Sequence, residues 1–172
     1  MNVYVKPTDY HIGCGVFAAH AFRKGELVLR ATGKLIHHQT LYSIQVDWCW
    51  HLDPDPPAKY LNHSCNPNVG VMSTASGLPE FYALRDISKD EEITFDYAMT
   101  EYMHYPRQNS DEDFDLVCHC KAENCRGRLG YYSELDESLK EQYAGYFADY
   151  LNNGKAPIVD YAAQPAGVHF EN

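Results

Sequence analysis

Short apolar runs alternate with turn-forming residues through the first hundred residues of the chain. The runs are rich in β-branched and aromatic residues, which favour strands, and glycine, proline, aspartate or asparagine separates them. Gly13 and Gly15 bracket Cys14 between two runs, a pattern typical of a tight turn. The clearest runs are residues 16–19, 27–29, 35–36, 42–46 and 81–84. The sequence therefore predicts a mainly β fold of many short strands, with short helices.

A proline-rich stretch interrupts this pattern between Trp48 and Pro57. It contains the run Asp53-Pro54-Asp55-Pro56-Pro57. Neither a helix nor a central strand accommodates such a run, because proline lacks a backbone N–H. We therefore predict a loop here, at the edge of an insert.

Two further segments follow the strand-rich region. The acidic run at residues 109–113 is typical of a solvated loop. Beyond it, Ser133 can cap a helix that Gly154 is placed to end. The residues that would share one face of this helix, and pack back on the domain, are Leu135, Leu139, Tyr143, Tyr146, Phe147 and Tyr150.

The composition indicates one folded, acidic domain. The chain has 172 residues, of which 45% are hydrophobic and 13% aromatic, so a single core is expected. Its formal net charge of −10 argues against direct nucleic-acid binding, which requires clustered lysine and arginine. A basic peptide partner fits this charge, and so does a simple role in solubility.

Signals for membrane insertion or export are not apparent in the sequence. No window approaches the roughly 20 apolar residues of a membrane span. The first residues lack the basic and apolar regions of a signal peptide. We therefore expect an intracellular, soluble protein, either cytoplasmic or, in a eukaryote, nuclear.

Three of the six cysteines, Cys118, Cys120 and Cys125, fall within eight residues. This spacing favours a shared metal over disulfides, and Zn requires four ligands. Cys65 is the preferred fourth donor, because it would tie this segment to the stretch 62–68. His119 is the less favourable donor, since both of its neighbours are already proposed ligands. The alternative is a loop with three free thiols.

Two polar and aromatic segments stand out against the strand pattern. One is Asn62-His63-Ser64-Cys65-Asn66-Pro67-Asn68, and the other is Glu91-Glu92-Ile93-Thr94-Phe95-Asp96-Tyr97. Taken singly, an Asn-His pair is usually a satisfied polar pair of the core, and Phe and Tyr are usually core aromatics. Their joint occurrence indicates a functional site.

Taken in order, these segments resemble the SET-domain protein-lysine methyltransferases. The resemblance rests on Gly13-Cys14-Gly15-Val16, the segments at 62–68 and 91–97, and the cysteine cluster, and it covers roughly residues 3–127. It implies a SET-domain fold of small curved sheets, in which the Asn-His and Tyr segments cross in a pseudoknot. It divides the chain into a core at 1–98 with an insert at about 34–58, an acidic loop at 99–117, a zinc-binding post-SET segment at 118–127 and a C-terminal helical extension at 128–172.

The resemblance also implies a set of site residues. Tyr97 would place its hydroxyl beside the transferring methyl group, Tyr42 would line the lysine channel, and Phe95 would leave space for di- or trimethylation. A structural Zn would be held by Cys65, Cys118, Cys120 and Cys125. Lys59 stands where relatives often carry arginine. Contacts with S-adenosylmethionine are implied for Ile12, Gly13, Cys14, Gly15, Lys59, Asn62, His63, Tyr97 and Leu116.

The activity that the resemblance implies is methylation of a lysine amine in a basic protein, such as a histone tail. Two other functions stay open: a SET-fold module that binds a lysine-bearing peptide without catalysis, and a zinc-stapled interaction protein. The presence of Tyr97, Asn62 and His63 favours the enzyme, because a pure binder does not need a methyl-transfer tyrosine. The sequence does not indicate the target lysine or the oligomeric state.

Overall fold

A computed structural model describes residues 2–8, 13–102 and 117–153 of the chain. Within these residues it contains ten short strands and two short α-helices, α1 Glu137–Gln142 and α2 Asp149–Asn153. Single 3-10 turns lie at Ala58–Tyr60, Tyr97–Met99 and Tyr132–Glu134. The strands are β1 Val3–Pro7, β2 Cys14–Ala18, β3 Leu27–Arg30, β4 Gly33–Ile36, β5 Ile44–Asp47, β6 Trp50–Pro54, β7 Asn62–His63, β8 Val69–Ser73, β9 Pro79–Ala83 and β10 Glu92–Phe95.

The strands form three small sheets. Their orders are β1-β2-β10-β7, β3-β9-β8 and β4-β6-β5. In the first sheet β10 pairs with β7 in parallel, with Thr94 opposite Asn62 and Phe95 opposite His63. This pairing brings together two segments that are about thirty residues apart in the chain. The two segments singled out in the sequence are therefore neighbours in space.

The core lies between side chains of these sheets. Val16 of β2, Phe81 of β9 and Ile93 of β10 are completely buried and belong to one apolar cluster. Burial of a side chain of this size contributes about 1.5–3 kcal/mol. The core thus fixes β10, and with it the polar segment that follows, against the neighbouring strands.

The loop predicted from Trp48 to Pro57 is wrong at residues 50–54, while residues 48–49 form a turn as predicted. Residues Trp50–Pro54 form β6, which is the central strand of its sheet. Leu52 is fully buried and pairs with Leu35 on one side and Ile44 on the other, and such apolar cross-strand pairs stabilise a sheet. Pro54 is tolerated because it occupies the last position of the strand, opposite Gly33.

The single helix predicted from Ser133 is also wrong. The chain forms α1 and α2 instead, separated by a turn in which Gly145 has a φ of +86°. The cap of α1 is Asp136, whose side chain accepts the N–H of Leu139. The apolar periodicity nevertheless identified buried residues, since Tyr143 and Phe147 both lie in the core. Gly154, the predicted end of the helix, lies outside the described residues.

The C-terminal residues 131–153 pack onto the sheets. The ring of Tyr146 lies so close to Gly70 of β8 that a Cβ there would come within 2.6 Å of it. The backbone N–H of Ala148 donates to the carbonyl of Met99 at 2.9 Å. The predicted acidic run at 109–113 lies outside the described residues. None of the helices in the described part of the chain is both long and apolar enough to cross a membrane.

Candidate active site

Asn62 lies beside the backbone strip of residues 13–15. Its Nδ2 donates to the carbonyl of Cys14 at 3.1 Å and to Oε1 of Glu92 at 2.8 Å. A Cβ on Gly15 would lie 2.5 Å from that same Glu92 oxygen, a contact that real Cβ atoms do not make. A side chain at residue 15 would therefore force the Glu92 and Thr8 side chains to move. The paired glycines mark more than a bend.

The first residue of the backbone strip, Gly13, faces space that the described residues leave open. Oγ1 of Thr8 is buried and has no hydrogen-bond partner within the described residues. Its methyl carbon lies 2.8 Å from the place of a Cβ on Gly15. Gly13, with a φ of +87°, has open space where a side chain would project. A buried hydroxyl usually finds a partner, so these features fit a polar ligand bound along the strip.

Tyr97 follows β10 and begins a 3-10 turn that Asp96 caps. Its hydroxyl donates to the carbonyl of Leu61 at 3.1 Å, one residue before Asn62. Burial, together with the nearby Glu101, raises the pKa of the Tyr97 phenol above its ordinary value of 10.0. The phenol therefore stays protonated at neutral pH. It can orient a ligand through its oxygen, but it is not a base.

His63 connects Tyr97 to the cysteine cluster. The backbone N–H of Tyr97 donates to Nδ1 of His63 at 3.2 Å, so this nitrogen carries no proton. Burial lowers the pKa of His63 to about 4, which leaves the ring neutral near pH 7 with its proton on Nε2. That Nε2 lies 3.3 Å from the sulfur of Cys65. His63 thus donates to the sulfur and accepts from the backbone of Tyr97.

Four cysteines converge next to this histidine. The sulfurs of Cys65, Cys118, Cys120 and Cys125 all lie within 4.8 Å of one another. The Cys65 and Cys118 sulfurs are 3.8 Å apart, which matches the roughly 3.8 Å expected for tetrahedral Zn with bonds of about 2.3 Å. His119, the less favoured donor, is exposed.

Backbone amides also support the cysteine cluster. The N–H of Arg126 points at the Cys65 sulfur at 3.4 Å, that of Gly127 at the Cys125 sulfur at 3.4 Å, and that of Cys65 at the Cys120 sulfur at 3.5 Å. Such donors stabilise the negative charge of thiolates. The donor set therefore fits a structural zinc ion.

Asp96 and Arg126 form a second link between the cluster and the tyrosine segment, and sequence reasoning missed it. The guanidinium binds both carboxylate oxygens, at 2.6 and 2.8 Å. Asp96 is only 1% exposed, and its carboxylate raises the pKa of Arg126. The sequence offered one clue to this pair: Asp96 directly precedes Tyr97, and Arg126 directly follows Cys125.

Three other predicted site residues, Phe95, Tyr42 and Lys59, lie in different surroundings. Phe95 is buried and packs between the rings of Phe81 and Tyr97, at centroid distances of 5.1 and 5.0 Å. Tyr42 is 45% exposed and lies in a turn before β5, where Nζ of Lys59 sits 5.2 Å from its ring centroid. Lys59 also pairs with Asp53 at 3.6 Å. Ile12 and Leu116 lie outside the described residues.

Comparison with known proteins gives consistent matches. The family model of the SET domain matches residues 13–98. Histone-lysine N-methyltransferase Set2 of Drosophila melanogaster is 30% identical over 146 residues, which cover 73% of this chain and 6% of that protein. Histone-lysine N-methyltransferase ASHH3 of Arabidopsis thaliana is 27% identical over 142 residues, which cover 69% of this chain and 36% of that protein. The chain thus spans a minor part of these curated relatives.

Solved structures share the architecture. The crystal structure of KRYPTONITE in complex with mCHH DNA, an H3(1-15) peptide and SAH has a TM-score of 0.59, covering 75% of this chain and 29% of that one at 24% identity. The methyltransferase domain of human SETMAR has a TM-score of 0.56, covering 76% and 59% at 20% identity. These likenesses show the fold, as predicted from the sequence.

Proposed function

Because the chain belongs to the SET-domain family, we propose that it transfers a methyl group from S-adenosylmethionine to a lysine side-chain amine of a protein substrate. The observation that carries this proposal is the hydrogen bond from the Tyr97 hydroxyl to the carbonyl of Leu61. Around it lie the Asn62-His63 strand and the backbone strip of residues 13–15. The names of the curated relatives support the same activity.

The cofactor would lie along the backbone strip of residues 13–15. The buried hydroxyl of Thr8 lies next to this strip and has no hydrogen-bond partner within the described residues. The residues that we propose to hold it are Gly13, Cys14, Gly15, Lys59, Asn62, His63 and Tyr97, with Ile12 and Leu116 proposed from the resemblance alone. Bound there, S-adenosylmethionine would supply a methyl group made electrophilic by its sulfonium. Lys59 already contacts Asp53 and Tyr42, so its contact with the cofactor would need a shift of its side chain.

The substrate amine must lose a proton before it can attack. A lysine amine has an unperturbed pKa of about 10.4, and desolvation by aromatic side chains such as Tyr97 and Phe95 lowers that pKa. Tyr97 does not accept the proton at neutral pH, because burial already raises the pKa of its own phenol. The proton therefore leaves to solvent. The role of Tyr97 is to orient the reacting groups with its neutral oxygen.

Phe95 is proposed to set the number of methyl groups added. Its ring packs on Tyr97 and Phe81 and has no hydroxyl to hold a water or to crowd a methylated amine. We expect Phe95→Tyr to restrict the product to fewer methyl groups. Mass spectrometry of the modified peptide would show this, and an unchanged product distribution would reject the role.

The zinc ion would be structural. Cys65, Cys118, Cys120 and Cys125 supply four thiolates, and a closed set of this kind has no open position for water or substrate. Its role would be to hold the segment at 118–127 against the strand at 62–63. This segment, the core at 1–98, the acidic loop at 99–117 and the extension at 128–172 are the proposed divisions of the chain.

The substrate is proposed to be a lysine-bearing basic protein, such as a histone tail. The formal net charge of −10 favours a basic partner over a nucleic acid. A histone substrate would place the protein in the nucleus of a eukaryotic cell.

The experiment that tests the proposal is incubation with labelled S-adenosylmethionine and a panel of basic proteins that includes core histones. Modified lysines are then mapped by tandem mass spectrometry. Label on lysine side chains is the expected result. Binding of the cofactor without transfer to any panel member would favour the peptide-binding module instead.

A further inference from the structure

Glu101 places a buried carboxylate between the insert sheet and the turn that carries Tyr97. The residue is 7% exposed. Its Oε1 accepts the backbone N–H of Gln45 in β5 at 2.8 Å and the hydroxyl of Thr100 at 3.2 Å. Its Oε2 accepts Nε2 of Gln39 at 3.3 Å. One side chain therefore binds β5, the segment that precedes β5, and Thr100 at the end of the turn.

The side chain of Gln45 forms a second link between β5 and the segment that follows the turn. It is fully buried, and its Oε1 accepts the backbone N–H of Tyr102 at 3.0 Å. The backbone N–H of Glu101 donates to the carbonyl of Tyr97 at 2.8 Å, which extends the network to the backbone of the tyrosine. The two segments are about 55 residues apart in the chain, and these reciprocal hydrogen bonds fix their register. We call Gln45, Thr100, Glu101 and the N–H of Tyr102 the insert clasp.

The C-terminal segment braces the insert clasp from the other side. The backbone N–H of Tyr132 donates to the carbonyl of Glu101 at 2.8 Å, and that of Ser133 donates to the carbonyl of Tyr102 at 3.0 Å. The ring of Trp48, in the turn between β5 and β6, packs edge-on against Tyr102 at a centroid distance of 4.9 Å. Residues 101–102 are thus held between the insert and the extension.

We propose that Glu101 is a positioning residue for methyl transfer, which holds the insert and its Tyr42 against the turn that carries Tyr97. This inference rests on the proposed function, because Tyr42 and Tyr97 are the proposed walls of the lysine channel. Positioning is the main means by which a site without a covalent intermediate accelerates its reaction. A displaced insert would therefore lower turnover without removing any group that touches the substrate.

The carboxylate changes charge in the physiological range. Burial raises the pKa of Glu101 to about 7, although hydrogen bonds from Gln45, Thr100 and Gln39 oppose the shift. Among the described residues, the titratable groups that interact with it are the phenols of Tyr97 and Tyr131, both with pKa values raised by burial first and by Glu101 second. Both phenols are neutral at pH 7, so only Glu101 of these three titrates there. Its ionised form is the better acceptor for three donors.

The test compares three variants by steady-state kinetics with a basic peptide substrate between pH 6 and 9. Glu101→Ala removes the acceptors and is expected to lower kcat/KM at least about tenfold, mainly through kcat. Glu101→Gln keeps an oxygen for Gln45 and Thr100, so it should restore most of the activity. In its pH profile of kcat/KM, the step near pH 7 that Glu101 produces in wild type should be absent, while the rise from deprotonation of the substrate amine should remain. Glu80→Gln, which changes an ion pair with Arg30 inside the sheet β3-β9-β8 and away from the insert, is the matched control and should behave as wild type.

Amide hydrogen exchange provides the second readout. The Gln45 N–H should exchange faster in Glu101→Ala and stay protected in Glu101→Gln. Unchanged kcat/KM in the alanine variant, or a glutamine variant as impaired as alanine, would overturn the proposal. If the alanine variant does not fold, a step near pH 7 that is the same in the glutamine variant and in wild type would overturn it. If wild type methylates nothing, the proposed function fails, and the exchange of Gln45 alone decides whether Glu101 holds the insert.

Discussion

The backbone N–H of Tyr97 donates to Nδ1 of His63 at 3.2 Å, and the opposite ring nitrogen of His63 lies 3.3 Å from the sulfur of Cys65. One neutral imidazole therefore joins the proposed catalytic tyrosine to a proposed zinc ligand. Because the ring is rigid, the orientation of the thiolate and that of the tyrosine turn depend on each other. The cysteine cluster is therefore structurally coupled to the proposed active site.

Loss of one zinc ligand is expected to weaken cofactor binding without unfolding the core. Cys120→Ser should lower the affinity for S-adenosylmethionine at least about tenfold, because the cluster positions His63 beside the strip at 13–15. Calorimetric titration measures the affinity, and circular dichroism checks the fold. Cys49→Ser, which changes an exposed free cysteine, is the control. Equal affinities in the Cys120 variant and wild type would count against this role.

Loss of Arg126 is expected to destabilise the whole domain. Arg126→Met leaves the buried carboxylate of Asp96 without its bidentate partner, and breaking such a pair costs about 3–5 kcal/mol. Arg30→Met breaks a pair whose arginine is 66% exposed and should cost at most about 1 kcal/mol. Urea denaturation measures both values. A similar loss in the two variants would show that Asp96 is satisfied in some other way.

The contribution of Glu101 to stability is expected to fall as the pH rises from about 4.5 to about 7. His63 and His51 contribute the opposite slope below about pH 6.5, because burial lowers their pKa values from 6.5 to about 4. The pKa of Glu101 is raised by burial from 4.5 to about 7, so in this window its carboxyl group binds more protons in the folded state than in the unfolded state. The Glu101 contribution to the free energy of unfolding then decreases with pH. The loss is of the order of 3 kcal/mol for a shift of this size, and it is complete above pH 7.

Glu101→Gln should remove this slope, because glutamine does not titrate. Denaturant midpoints at a series of pH values measure the effect in both proteins. The same slope in wild type and variant would assign the pH dependence to another group. If the variant loses the Glu101 contribution, stability and activity oppose each other at this residue. The ionised carboxylate lowers the free energy of unfolding, but it strengthens the hydrogen bonds of the insert clasp.

Strand content and the site segments were predictable from the sequence because both depend on local features. Apolar runs mark strands through their side-chain types, and the segments at 62–68 and 91–97 carry recognisable residues at fixed spacing. The parallel pairing of Thr94 with Asn62 came only from the resemblance. No local pattern encodes which strands become neighbours, because pairing is decided by tertiary packing.

The wrong predictions arose where tertiary contacts outweighed local sequence preferences. The prolines at 54–57 suggested a loop, but Leu52 gains more from pairing with Leu35 and Ile44 than Pro54 loses at the end of its strand. The apolar face after Ser133 suggested one helix, but Gly145 turns the chain so that the same face follows the sheets. Asp96, Arg126 and Glu101 were missed because a buried ion pair or carboxylate is recognised only by its distant partners.

The most direct test of the central claim is methyl transfer by Tyr97→Phe, measured with labelled S-adenosylmethionine on the best substrate of the panel. The change removes the hydroxyl on the carbonyl of Leu61 and keeps the ring packed on Phe95. Tyr82→Phe, which removes a hydroxyl bound to Glu80 of the same strand, is the matched control. We predict a loss of about a hundredfold in kcat with cofactor binding retained for Tyr97→Phe, and wild-type turnover for the control. Full turnover in Tyr97→Phe would contradict the account.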